Sequence, residues 1–204
     1  MCIRDSCRFL AAQFARPHGA AGRFLLGPLL DGIGAPMMGA AFRALETKPG
    51  ERVLDLGIGG GALSRRLVRA GAVVTGVDPS TALLERARRR MPGATFLEGH
   101  GAAIPLADSA VDKAASVNTL YFWADPAVVM AELARVLAPG GRLVLGFQTA
   151  EAVRAWPGHV HGFHAWDEAT IAAAAEAAAF RIVAVEPGHD PRVRDYRTLV
   201  ARST

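Results

Sequence analysis

Long uncharged apolar runs are missing from this 204-residue chain. No window of about 18 such residues occurs, which excludes a membrane-spanning helix. Cysteine is confined to Cys2 and Cys7, so neither a disulfide framework nor a cysteine-ligated metal is expected. Lysine is nearly absent: only Lys48 and Lys113 stand among the 23 basic residues. The net charge of +4 therefore rests on arginine in an alanine-rich chain, and reads as coding bias rather than a nucleic-acid footprint. The one dense basic run, Arg86, Arg88, Arg89 and Arg90, points several ways around a helix and is expected to be a solvated surface. No repeat, low-complexity tract or secretory-type leader stands out, so a cytoplasmic protein is expected.

What is present is a composition that folds. At 51% hydrophobic and 21% charged, the chain can bury a sizeable core. Met1-Cys2-Ile3-Arg4-Asp5-Ser6 matches one reading frame of a common sequencing-adapter end, and residues 1–6 are read as an artefact. Residues 7–47 are expected to be an N-terminal helical segment shortened at its start, with a helix from Pro36 to Leu45. Residues 48–204 are expected to be the functional domain.

Within that domain the apolar pattern alternates between strands and helices. Strands are expected at Arg52–Leu56, Val73–Val77, Thr95–Leu97, Ala114–Val117 and Arg142–Phe147. Helices are expected at Ala62–Ala70, after Pro79, after Asp125-Pro126, and from about Asp167 to Ala179. Pro92-Gly93 and Pro139-Gly140-Gly141 read as helix stops. Such alternation implies parallel pairing with helices on both faces, an open α/β sheet. Arg181–Val185 and Arg197–Ala201 are joined without a helical pattern, so that last pair is expected to be antiparallel.

Gly57, Gly59, Gly60 and Gly61 lie between a strand and a helix. Glycine there lets backbone approach a ligand, and the helix start offers unpaired N–H groups. Asp78 follows 21 residues after Gly57, at the end of the second strand, where a carboxylate can accept from two ribose hydroxyls. Gly57-x-Gly59-x-x-Ala62 also satisfies the dinucleotide fingerprint, which leaves a nicotinamide oxidoreductase open. Three features weigh against it. Asp55 stands where dinucleotide sites keep an apolar residue, neither Tyr121 nor Tyr196 has a lysine four positions later, and little chain remains for a catalytic domain.

Four blocks resemble the class I S-adenosylmethionine-dependent methyltransferases of the small-molecule branch. They are Val53-Leu54-Asp55-Leu56-Gly57-Ile58-Gly59-Gly60-Gly61, then Gly76-Val77-Asp78-Pro79-Ser80 with Leu84-Glu85-Arg86-Ala87, then Ile104-Pro105-Leu106-Ala107-Asp108, and Arg135-Val136-Leu137-Ala138-Pro139-Gly140-Gly141-Arg142-Leu143. The resemblance implies a Rossmann-like, seven-stranded, mostly parallel sheet whose last strand is antiparallel, and S-adenosylmethionine as cofactor. It implies that Asp55 and the backbone of Gly57, Gly59 and Gly61 border the methionine part, that Asp78 holds the ribose, and that Pro79 or Ser80 lies beside the adenine. His100, next to Gly101, stands where the family usually has an aspartate that accepts from the adenine amino group. A neutral imidazole can accept there and a protonated one cannot. Glu98 lies two residues earlier on the same strand face. A cofactor-binding protein without catalysis remains the alternative that His100 and the shortened start suggest.

The acceptor wall is expected in two pieces. Asn118-Thr119-Leu120-Tyr121-Phe122-Trp123 follows the fourth strand at the sheet's carboxyl edge. The second piece is the loop Trp156–Trp166, where His159, His161 and His164 stand beside two tryptophans. That loop can be an aromatic lid, a metal site or an ordinary surface loop; its spacing on an irregular scaffold disfavours a metal, and none is expected. His161, His164 and Tyr121 are the candidate bases, needed only if the acceptor must lose a proton. The Asp/Asn-Pro-Pro-aromatic motif of base and glutamine methylation is missing after the fourth strand, and the absence of later cysteines disfavours arsenic chemistry. A small-molecule acceptor is therefore expected, with no nucleic acid.

Overall fold

The computed structural model describes residues 27–204. Expectations for residues 1–6, for Cys2 and Cys7 and for the start of the 7–47 segment lie outside the described residues. The order is α1 (Gly27–Leu45), β1 (Arg52–Leu56), α2 (Ala62–Arg69), β2 (Val73–Asp78), α3 (Thr81–Arg90), β3 (Thr95–Glu98), β4 (Val111–Val117), α4 (Pro126–Val136), β5 (Leu137–Gln148), α5 (Ala150–Arg154), α6 (Glu168–Ala177), β6 (Phe180–Asp190) and β7 (Arg194–Ser203). Single 3-10 turns occupy Leu120–Phe122 and Pro157–Val160.

The strands form one seven-stranded sheet in the order β3-β2-β1-β4-β5-β7-β6. All neighbours are parallel except β7, which runs antiparallel to both β5 and β6. Strand alternation divides the core between the two faces. Leu54, Leu56, Leu143 and Leu145 pack with Met130 and Leu133 of α4 and Ile171 of α6. Val53, Val144 and Val200 face the other way, against Met37, Ala41 and Leu45 of α1 and Leu63 and Leu67 of α2. A smaller cluster joins Ile58, Leu84, Ala87, Met91 and Phe96 beneath α3.

The β3–β4 connection packs Ile104, Leu106 and Ala110 against the core and is also tied down by charge. The Arg135 guanidinium donates to the carbonyls of Ile104 and Leu106 and pairs with Asp108 and Glu132. Glu132 in turn accepts from the Ile104 N–H. These bonds join the third and fourth sequence blocks across α4.

Four expectations need correction. Helix α1 begins nine residues before Pro36 and runs through it; the missing N–H costs about 3 kcal/mol, offset by burial of Met37, Ala41 and Leu45 against the sheet. Pro139-Gly140-Gly141 does not separate helix from strand: β5 already begins at Leu137, opposite Val111, and the three residues form an irregularity inside it. The last two strands are longer than their apolar centres and meet in a three-residue turn. Arg86 is buried rather than solvated, and the Arg88 guanidinium reaches the Phe96 carbonyl, while Arg89 and Arg90 are exposed.

Gly76 marks the tightest crossing of β2 with its covering layer. A Cβ there would stand 2.6 Å from Ile58 and 2.7 Å from Phe96. Gly76→Ala is expected to cost about 1–3 kcal/mol by overpacking, read as a lower urea midpoint with unchanged slope.

Candidate functional site

The carboxyl ends of β1, β2 and β4 open into a cavity of about 720 Å³, within the range of about 300–1,000 Å³ typical of ligand pockets. Its polar half is built around Asp78. This carboxylate is 6% exposed and accepts from the Gly59 N–H at 3.2 Å and the Ser80 N–H at 2.8 Å. Burial pushes it up to about 6, against the pull of those two N–H groups. Asp55, buried at the end of β1, accepts from the Ser64 hydroxyl at 2.5 Å. Gly57, at φ +80°, sits so close to Thr119 that a Cβ would collide with its methyl carbon. Gly59, at φ +51°, faces open space, with no atom within 4 Å of a Cβ built there.

The apolar half comes from sequence-distant elements. Ile33 and Met38 of α1 line the cavity with Val117, Tyr121, Phe122, Trp123, Val153, Trp156 and Phe163. Phe163 packs edge-on to Phe122 and Trp156, at centroid distances of 4.7 and 4.9 Å. Tyr121 is buried, and its hydroxyl accepts from the Gln148 N–H at 2.7 Å; burial drives its pKa upward despite that bond.

Of the residues singled out in the sequence, Asp55, Gly57, Gly59, Asp78, Pro79, His100, Gly101, Asn118 and Tyr121 all line this cavity. Asn118 holds a left-handed backbone at φ +63°. Gly101 abuts Val129, and His100 is exposed. Others fall elsewhere, Ser80 and His159 among them. Gly61 caps α2 and turns toward Met91, not the cavity. His161 and His164 are outside the wall; the His164 ring stacks on Trp166 and its backbone N–H donates to the Tyr121 carbonyl. Glu98 is also outside.

Sequence reasoning did not anticipate Ser64, Gln148, Arg192 or Arg194 at this site. Only Ser64 carried a local signal, one helical turn beyond the glycine loop on its apolar face. The others arrive through tertiary packing and the β5–β7 register.

The description "Methyltransferase domain" fits the family model that matches residues 54–145. An uncharacterized methyltransferase of Mycobacterium tuberculosis is 45% identical over 105 residues, covering 52% of this chain and 43% of the relative. A demethylmenaquinone methyltransferase of Corynebacterium kroppenstedtii is 37% identical over 117 residues, 57% of this chain and 50% of the relative. The chain thus spans about half the length of these curated relatives. A methyltransferase from Haloferax volcanii, solved in complex with the Trm112 activator, superposes with a TM-score of 0.81 at 22% identity, covering 99% of both chains. Residues 54–145 thus match a methyltransferase domain, the chain shares the fold of solved methyltransferases, and S-adenosylmethionine is the cofactor that this likeness implies. The nicotinamide alternative is thereby set aside. The donor set fits that cofactor: a buried carboxylate for paired hydroxyls, open space over Gly59, and a second carboxylate at Asp55.

Two predictions follow from Asp78 and Gly59. Asp78 binds its proton more tightly folded than unfolded, so the stability from protonation is whole below pH 3.8 and lost as pH rises through about 6. Asp78→Asn removes that slope, gaining up to about 3 kcal/mol on the wild type between pH 4 and 7; parallel urea-stability profiles would refute it. Gly59→Ala costs about 1–2 kcal/mol of backbone strain and weakens S-adenosylhomocysteine binding by about tenfold or more, measured by calorimetry, because its methyl enters the open space.

Proposed function

We propose that this chain is a cytoplasmic methyltransferase acting on a small organic acceptor, with residues 48–204 as its methyltransferase domain and α1 as part of its wall. The observation that carries the proposal is the buried Asp78 carboxylate beside the open Gly57–Gly59 loop, at one end of a cavity whose other end is apolar. Bound S-adenosylmethionine supplies a sulfonium-borne methyl group for in-line displacement by the acceptor.

Asp78 holds the ribose hydroxyls in its anionic form, and Asp55 with Gly57 and Gly59 borders the methionine part. Pro79, Gly101 and His100 border the adenine, where His100 accepts a hydrogen bond only while neutral. Asn118 also lines the cavity. The side chains of the apolar half orient the acceptor and exclude water, so the rate gain comes from positioning. No general base is assigned. Tyr121 is kept protonated by burial, and His161 and His164 lie off the wall. The archaeal neighbour was solved with an activator protein; the activity proposed for this chain is its own.

Calorimetric titration with S-adenosylmethionine and S-adenosylhomocysteine, followed by methyl transfer to an acceptor panel from purified chain alone, tests this. Asp78→Ala is expected to weaken binding by about 1.5–3 kcal/mol, roughly ten- to hundredfold. Binding should also weaken below about pH 6, as Asp78 takes up a proton. Binding without turnover on any acceptor leaves a cofactor-binding protein; no binding by the folded chain overturns the assignment.

A further inference from the structure

Six charged or titratable side chains line the cavity: Asp55, Asp78, His100, Tyr121, Arg192 and Arg194. The first three border the half assigned above to the cofactor. Arg192 is neutralised within its own turn, since its Nε and Nη2 reach the two Asp190 oxygens at 2.9 Å each. Arg194 differs. Among the described residues its exposed side chain has no hydrogen bond or ion pair, whereas Arg52, Arg135, Arg142 and Arg197 are paired and the exposed Arg89 and Arg90, also without a partner, lie off the cavity.

The turn that carries Arg194 is held in place. Val193 is fully buried beneath it, and its carbonyl accepts from the Gln148 side-chain amide at 2.7 Å. The Val193 N–H donates to Asp190, and the Asp195 carbonyl accepts from Thr149. Within this frame Arg194 adopts φ +59°, a left-handed backbone that costs an L-residue about 1–2 kcal/mol. Strain at an unpaired, cavity-lining charge is the kind of outlier from which a functional role is inferred.

We propose that Arg194 is a specificity-determining residue that binds an oxyanion, carboxylate or phosphate, on an acceptor whose apolar or aromatic body lies against Phe122, Trp156 and Phe163. This rests on the methyltransferase assignment. The guanidinium fork matches an oxyanion with two parallel N–H donors, and the aromatic rings present flat surfaces to the acceptor body. Bound this way, the acceptor enters with its neutral end toward the polar half of the cavity.

The test uses protein saturated with S-adenosylhomocysteine and three probes: 1-naphthoate, 1-naphthyl phosphate and neutral 1-naphthamide. At least one anion is expected to bind about tenfold or more tightly than the amide, and the stronger anion distinguishes carboxylate from phosphate. Arg194→Gln should erase the preference and Arg194→Lys should keep part of it. Arg194→Gly, which suits the left-handed backbone, guards against misfolding and should show the same loss. Equal binding of all three probes, binding of none, or a preference that survives in Arg194→Gln overturns the proposal. A fall in S-adenosylhomocysteine affinity in Arg194→Gln also overturns it, by moving the arginine to the cofactor. Failure of the wild type to bind S-adenosylhomocysteine instead removes the methyltransferase assignment itself.

Discussion

Burying the Asp78 carboxylate is the constraint around which the polar half of the cavity is organised. Burial raises its pKa to about 6, so holding it as an anion at neutral pH takes free energy from the fold. Two backbone N–H groups offset part of that cost, and each fixes a neighbouring element. The Gly59 N–H comes from a loop that needs positive φ at Gly57, Gly59 and Gly61, a conformation that glycine reaches without Cβ strain. The Ser80 N–H comes from the residue whose side chain caps α3. One carboxylate thus sets the loop after β1 and the start of α3 together. A ligand donating hydroxyls would complete its solvation, so stability given up in the free protein returns as affinity.

The apolar half has a different origin. It is joined to the sheet by a short chain of hydrogen bonds from Tyr121 through Gln148 to Val193. Gln148 ends β5 opposite Tyr196, so the antiparallel β7 delivers the Asp190–Arg194 turn to the cavity. The loop 156–163 closes the wall through ring contacts between Trp156, Phe163 and Phe122. Trp166 anchors the far side by donating to the Trp123 carbonyl. A cavity assembled this way has a polar floor set by local sequence and an apolar wall set by tertiary register.

That division decides what could be read without coordinates. The floor was legible because its signals are local: glycines after a strand, an acid at the end of the next, a proline opening a helix. Each fixes its own conformation within a few residues. The wall was only half legible. Tyr121 and Trp156 could be nominated, but α1 has few polar interruptions to mark a face, and Pro36 concealed its length. Pro139-Gly140-Gly141 misled for a related reason, because proline and glycine mark turns and strand irregularities alike. Arg194 gave no signal, since its placement depends on a hairpin longer than its apolar centre. His161 and His164 looked catalytic by residue type, yet the 3-10 turn at Pro157–Val160 and the stack on Trp166 leave them off the wall.

The charge layout constrains how an acceptor can be oriented. An anionic acceptor in a cavity of low polarity would be drawn toward a sulfonium, and its charged end rather than its nucleophile would meet the methyl group. At about 4 Å and an effective dielectric of about 20, that attraction is on the order of 4 kcal/mol, enough to dominate orientation. A cation on the cavity wall away from the sulfonium would compete for the same anion and reverse the polarity of binding. Arg192 cannot serve, being satisfied by Asp190, so the task falls to Arg194. On the proposed reading, the buried plug at Val193 fixes the turn and the exposed Arg194 guanidinium at its rim turns the acceptor toward the apolar wall.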